Sequence, residues 1–297
     1  MKVKANGIDI EVEDTGADGS QAGRPVVQLI MGLGMQLVAW PDGLVDLLVA
    51  RGFRVIRFDN RDVGLSQGHD HLGMPRMAGA MLRYTFRLPV PSPYTLRDMA
   101  ADAVGVLDAL GIPAAHVCGA SMGGMIAQQM AVHHPQRVKS LTLIMTTSGA
   151  RHLPQPSLRV RQALLGKPRS TAVADVVAHL EGLIHTIGSP GYRPEPARLR
   201  ERLELSVRRA YRPAGTARQL LAIVADGDRT PLLRQIRQPT RVIHGADDPL
   251  VPPAAGQHLA DQIAGATLDL VPGMGHDLPL PLLPRIAAGI AIAAGRG

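Results

Sequence analysis

Cysteine is all but missing from this chain. Its 297 residues hold one, Cys118, so no intrachain disulfide can form and a disulfide-stapled secreted scaffold is excluded. A zinc site built on paired cysteines goes with it. Aromatic residues make up only 3%, which removes the stacking platform of a single-strand nucleic-acid binder. Lysine is scarce too: four of the 32 basic residues, the others being arginine. The formal charge of +7 favours acidic partners. No run of five or more like charges occurs, however, so the surplus reads as a dispersed arginine-rich surface. The arginines between Arg193 and Arg218 are expected to form a solvated helix face, and no nucleic-acid partner is expected.

Long apolar runs are also missing. The two longest stretches without Asp, Glu, Lys or Arg, Pro25–Pro41 and Ala109–Gln136, are broken by glycines, and the second also by His133 and His134. Neither resembles the roughly 20 apolar residues of a spanning helix. The N-terminus alternates apolar and polar residues and lacks the apolar core of a signal peptide. Asn6 and Asn60 are the only asparagines, and neither begins a glycosylation sequon. The expectation is a cytoplasmic protein with no membrane partner.

What is present is a globular composition, 45% hydrophobic and 19% charged. At this length a chain buries roughly three quarters of its unfolded surface. Val3–Asn6 and Ile8–Glu13 alternate around Asn6-Gly7, the signature of a hairpin. Pro25–Ile30 is a continuous apolar run, suited to a strand covered on both faces. Further strands are expected at Phe53–Asp59, Ala115–Cys118, Leu141–Met145, Arg241–His244 and Thr267–Val271. Helical spacing marks Asp42–Arg51, Leu96–Leu110 and Met122–His133. Alternating strands and helices predict a mostly parallel sheet with helices on both faces. From about Thr147 to Arg237 the rhythm breaks into helical, arginine-rich sequence, which predicts a helical insertion over the end of the sheet. Met74–Pro93, rich in methionine and proline, is expected to be irregular.

Three segments carry chemistry. In Gly119-Ala120-Ser121-Met122-Gly123 a serine sits where a strand ends and a helix begins. A serine hydroxyl is a poor nucleophile unless a base takes its proton and donors await the oxyanion. A tight strand-to-helix turn exposes such a serine, and flanking glycines are what it requires. The Met122 amide then opens a helix and points toward developing negative charge. A glycine-rich turn with an incidental serine is the competing reading. Val242-Ile243-His244-Gly245-Ala246-Asp247-Asp248-Pro249 delivers two acids into a turn after a strand, either of which could orient a histidine. Val271-Pro272-Gly273-Met274-Gly275-His276 ends another strand in a glycine-flanked loop carrying His276. The turn Met31-Gly32-Leu33-Gly34, after the early strand, offers a second backbone donor. By its position that donor is assigned to Leu33 N–H. Cys118, on the strand before Ser121, reads as a small buried apolar residue.

Together these segments resemble the α/β-hydrolase superfamily, over nearly the whole chain outside the insertion. Phe58-Asp59-Asn60-Arg61-Asp62-Val63-Gly64-Leu65-Ser66 looks like the loop after the second parallel strand of that family. The combined wording, with the chain length, is similar to aclacinomycin methylesterase-like enzymes, which hydrolyse a methyl ester on a polyketide. The resemblance implies an α/β-hydrolase fold with an eight-stranded, mostly parallel sheet. The core would comprise residues 1–146 and 238–297, with a helical cap at 147–237. It places a catalytic triad on Ser121, Asp248 and His276, in the chain order of the family, and an oxyanion hole on the amides of Leu33 and Met122. Serine at the elbow sets the chain apart from the dehalogenases and epoxide hydrolases of this fold, which use aspartate there. Met31-Gly32 departs from the His-Gly of most members, and neither Met74–Pro93 nor the insertion matches the methylesterases. The expected activity is hydrolysis of a small to medium apolar ester, with no cofactor and no metal. Acyl transfer to an alcohol, perhydrolysis, or a ligand receptor with little turnover are the alternatives.

Overall fold

The computed structural model describes residues 1–296. Eight strands form one sheet: β1 (Lys2–Ala5), β2 (Ile8–Asp14), β3 (Val26–Ile30), β4 (Arg54–Phe58), β5 (Ala115–Ala120), β6 (Val138–Ile144), β7 (Thr240–Gly245) and β8 (Thr267–Val271). Their order across the sheet is β1-β2-β4-β3-β5-β6-β7-β8. The β1–β2 and β2–β4 pairings are antiparallel and every later pairing is parallel.

The central strands read as apolar runs because both their faces are covered. Val26, Ile30, Ala115, Val117, Leu141, Leu143 and Val242 pack into one apolar cluster. Their alternating neighbours Val27, Leu29, Cys118, Ala120, Ile144 and Ile243 pack into a second. The two-residue period of the strands divides the side chains between the faces. On the first face lie α3 (Leu96–Ala109), α4 (Met122–His133) and α10 (Ala254–Gln262); on the second lie α1 (Asp42–Ala50) and α11 (Leu283–Ala293). The helix α3 starts at a complete capping box, in which Thr95 accepts from the Asp98 amide and Asp98 accepts from the Thr95 amide.

The connection between β6 and β7 holds α5 (Leu158–Leu165), α6 (Val173–Ile187), α7 (Pro196–Arg209), α8 (Pro213–Asp226) and α9 (Thr230–Leu233). Val176, Val177, Leu199, Leu203 and Val207 give α6 and α7 a small core of their own. Two local expectations change. The segment Met74–Pro93 is not wholly irregular: α2 spans Met77–Thr85, its prolines lying outside the helix at Pro75, Pro89, Pro91 and Pro93. The arginines of α7 and α8 are not a uniformly solvated face either. Arg218 is 1% exposed and forms a two-point pair with Asp62, at 2.7 Å on both arms. Arg209 reaches Asp59 at 2.7 Å.

Candidate active site

Strand β5 ends at Ala120 and α4 begins at Met122, which leaves Ser121 alone to make the turn. Its backbone sits at φ 53°, ψ −118°, a conformation that costs a non-glycine residue about 1–3 kcal/mol and persists only when its surroundings dictate it. They do so here. Ser121 N donates to Ile144 O at 2.9 Å, while Ser121 O accepts from Thr146 Oγ1 at 2.6 Å and from the Gly124 amide at 2.9 Å. Glycine is obligatory on both sides. A Cβ on Gly119 would strike the Gly123 carbonyl, and one on Gly123 would strike the Ile30 carbonyl.

The loops after β7 and β8 bring two more groups to the serine. His276 Nε2 lies 3.0 Å from Ser121 Oγ, and His276 Nδ1 lies 2.7 Å from Asp248 Oδ2. The other carboxylate oxygen, Oδ1, accepts from the amides of Leu250 at 2.9 Å and Val251 at 2.8 Å. Asp248 is therefore buried, 3% exposed, with both oxygens satisfied. Asp247 points elsewhere and accepts from the Gly273 amide at 2.8 Å, bracing the turn that leads to the histidine. The adjacent acids thus divide the work, one on the imidazole and one on its loop. His244, on β7, donates through Nε2 to Val251 O at 2.8 Å, and burial pushes its pKa down.

The turn after β3 abuts the elbow. A Cβ on Gly32 would come within 3.2 Å of the Ser121 Cβ. The amides of Leu33 and Met122 have no hydrogen-bond acceptor among the described residues, and the Met122 amide lies at the positive end of the helix α4. The turn is held from outside. Asn60 Nδ2 donates to Met31 O at 2.9 Å, and the Gly34 amide donates to Gln219 Oε1 at 2.8 Å. Gln219 Nε2 in turn donates to Arg61 O at 2.8 Å. Asp59 Oδ1 accepts from the Leu37 amide at 2.7 Å and Oδ2 from the Leu65 amide at 2.8 Å. Burial pushes the Asp59 pKa up against these amides and Arg209.

Ser121, Asp248 and His276 are thus brought together, with the Gly32 turn against Ser121. Cys118 is fully buried on β5, and burial raises its thiol pKa. A cavity of about 390 Å³ lies between the α5–α7 segment and the acid loop, lined by residues such as Val160, Ile184, Arg193 and Asp247, and it excludes Ser121 and His276. Sequence reasoning did not find Gln219, Ser189 or Asp277. Only the Asp59–Ser66 run carried a signal, through its resemblance to a family loop.

A family model described as the alpha/beta hydrolase fold matches residues 25–280. Rhodomycin D methylesterase DauP of Streptomyces sp. (strain C5) is 32% identical, over 92% of this chain and 91% of that protein. Rhodomycin D methylesterase DnrP of Streptomyces peucetius is 31% identical over the same shares. Among solved structures, a hydrolase from Pseudomonas aeruginosa PA01 superposes with a TM-score of 0.70 at 26% identity, covering 99% of this chain and 98% of that one.

Proposed function

The chain belongs to the α/β-hydrolase family, and from that premise we propose that it is a serine esterase working through an acyl-enzyme. Its likeness to methylesterases supports ester hydrolysis. The observation that carries the finer reading is the unbroken chain Ser121 Oγ, His276 Nε2, His276 Nδ1, Asp248 Oδ2, with contacts of 3.0 and 2.7 Å.

In the proposed cycle Ser121 Oγ attacks the ester carbonyl carbon as His276 Nε2 takes its proton. Asp248 accepts from Nδ1–H, so the lone pair stays on Nε2 and the imidazolium that forms is stabilised. The carbonyl oxygen becomes an oxyanion and is received by the Leu33 and Met122 amides, which have no competing acceptor to release. His276 then protonates the departing alkoxide. Water then attacks the acyl carbon as the same imidazole takes its proton, and that proton passes to Ser121 Oγ as the acyl–oxygen bond breaks and the acid leaves. The Ser121 proton thus leaves with the alcohol, and the proton that restores the serine comes from the attacking water.

For substrate we infer an apolar ester with a small leaving alcohol, a methyl ester in the manner of the rhodomycin D methylesterases. We further infer that residues 147–237 act as the cap over the acyl group, since α7 and α8 hold the loops that carry Asp59, Asp62 and Gly34. Purified protein should hydrolyse p-nitrophenyl esters and aromatic methyl esters, and Ser121→Ala should abolish this activity. Undiminished turnover in that variant would remove the serine from the mechanism.

A further inference from the structure

The loop that presents His276 is rich in glycine. It runs through Gly273, at φ +75°, and Gly275. Asp248 holds the far nitrogen of the ring but not the backbone from which the ring projects. Before the histidine that backbone is braced by Asp247 through the Gly273 amide; at the histidine itself it is held by two residues at and just after the end of α6, Ile187 and Ser189. Ile187 O accepts from the His276 amide at 2.8 Å. Ser189 Oγ accepts from the Gly275 amide at 2.8 Å and donates to Asp277 Oδ1, a short contact. The Ser189 amide donates to that same carboxylate oxygen at 3.0 Å. The peptides before and after the histidine are thus tied to one turn of another element.

The fit is close. A Cβ on Gly275 would come within 2.5 Å of the Gly188 carbonyl carbon. Ser189 is 2% exposed, so no water can replace its hydroxyl without rearrangement. Asp277 is buried enough to raise its pKa, with Ser189, His276 and Arg202 opposing the rise. A solvent-facing aspartate after the histidine would need none of this.

We propose that Ser189 is a positioning residue for His276, forming with Asp277 a latch that sets the distance from the imidazole to Ser121. The hydroxyl is both acceptor and donor, so it fixes Gly275 and Asp277 relative to each other across the histidine. It touches no reacting atom and acts through the loop alone. One consequence is that α6 belongs to the catalytic machinery: a shift of its last turn moves the base. This proposal rests on the serine-esterase reading, because the distance matters only if the imidazole takes the serine proton.

The test compares Ser189→Ala, Ser189→Thr and Asp277→Ala with the parent on p-nitrophenyl acetate. Misplacing a catalytic group by an ångström costs about 10²-fold, so Ser189→Ala should lower kcat about 10- to 100-fold while KM stays within about twofold. Ser189→Thr, which keeps the hydroxyl, should recover most of the rate. Asp277→Ala leaves the Gly275 bond intact and should fall between them; it also serves if Ser189→Ala does not fold. Hydrogen exchange over residues 272–278 should quicken in Ser189→Ala, a readout independent of turnover. A folded Ser189→Ala with kcat near the parent's, or with unaltered exchange, overturns the latch. A parent that loses nothing on Ser121→Ala overturns the esterase reading instead, so the two failures are distinguishable.

Discussion

Asp248→Asn exchanges one carboxylate oxygen for an NH2 group, and the surrounding hydrogen bonds decide where that group goes. At the Oδ1 position it would face two donors, the amides of Leu250 at 2.9 Å and Val251 at 2.8 Å. At the Oδ2 position it would face one, His276 Nδ1 at 2.7 Å. Leaving two buried amides unpaired costs more than leaving one, at about 1–3 kcal/mol each. The asparagine oxygen therefore keeps Oδ1 and the NH2 turns to the histidine. The imidazole answers by moving its proton to Nε2, where it becomes a donor toward Ser121 Oγ and cannot act as a base. Loss of the correct tautomer is worth about 10⁴ in kcat, or about 5 kcal/mol of barrier. Because both backbone amides retain their acceptor, Tm should move by no more than about 3 °C. Steady-state hydrolysis of p-nitrophenyl acetate and a thermal melt measure both quantities. A kcat within tenfold of the parent would refute the tautomer argument. A fold collapse would refute the assignment of the oxygen to Oδ1.

Arg218→Met should be strongly destabilising. The Arg218 and Asp62 side chains are 1% and 0% exposed, and breaking a buried pair from one side costs about 3–5 kcal/mol. The urea midpoint reads it, and an unchanged midpoint would contradict the burial of the pair. Stability should also fall on mild acidification. Burial lowers the His116 pKa from 6.5 to about 4, so between those values the unfolded chain binds the extra proton and stability rises with pH. The contribution is present above pH 6.5, is lost as pH falls toward 4, and amounts to about 3 kcal/mol. His116→Gln should flatten that part of the pH profile, and an identical slope in the variant would reassign it. Cys118, fully buried with its thiol pKa raised, should resist a thiol reagent in native buffer and react at once in denaturant. Fast labelling of folded protein would contradict its placement in the core.

The elements that could be read along the chain are those whose signal is local. The apolar run Val26–Ile30 and the glycines around Ser121 state their own structure, since a strand covered on both faces and an elbow each require particular residues in sequence. The ambiguity between Asp247 and Asp248 could not be resolved locally. Both leave the same strand, and only the position of the β8 loop shows that one meets His276 and the other Gly273. The helix α2 was hidden because Gly79 and the flanking prolines weaken a pattern whose apolar side chains, Met81 and Leu82, remain 46% and 61% exposed. Gln219 gave no signal at all. Its bond to the Gly34 amide joins residues 185 positions apart, and nothing about a glutamine on a helix reports that distance.

These long-range ties also constrain how the β6–β7 segment can move. Lifting α7 and α8 together would separate Arg209 from Asp59 and Arg218 from Asp62. It would also strip the Gly34 amide of its acceptor, Gln219. On α2 and α5 the exposed side chains include Met81, Leu82, Leu158 and Leu165 beside Arg83, Arg159 and Arg161, and displacing them breaks no buried charge pair. The cost of opening is therefore unevenly distributed. A displacement of α7 and α8 would reach the turn beside Ser121 through Gln219 and the Asp59 loop, whereas none of these ties involves α2 or α5.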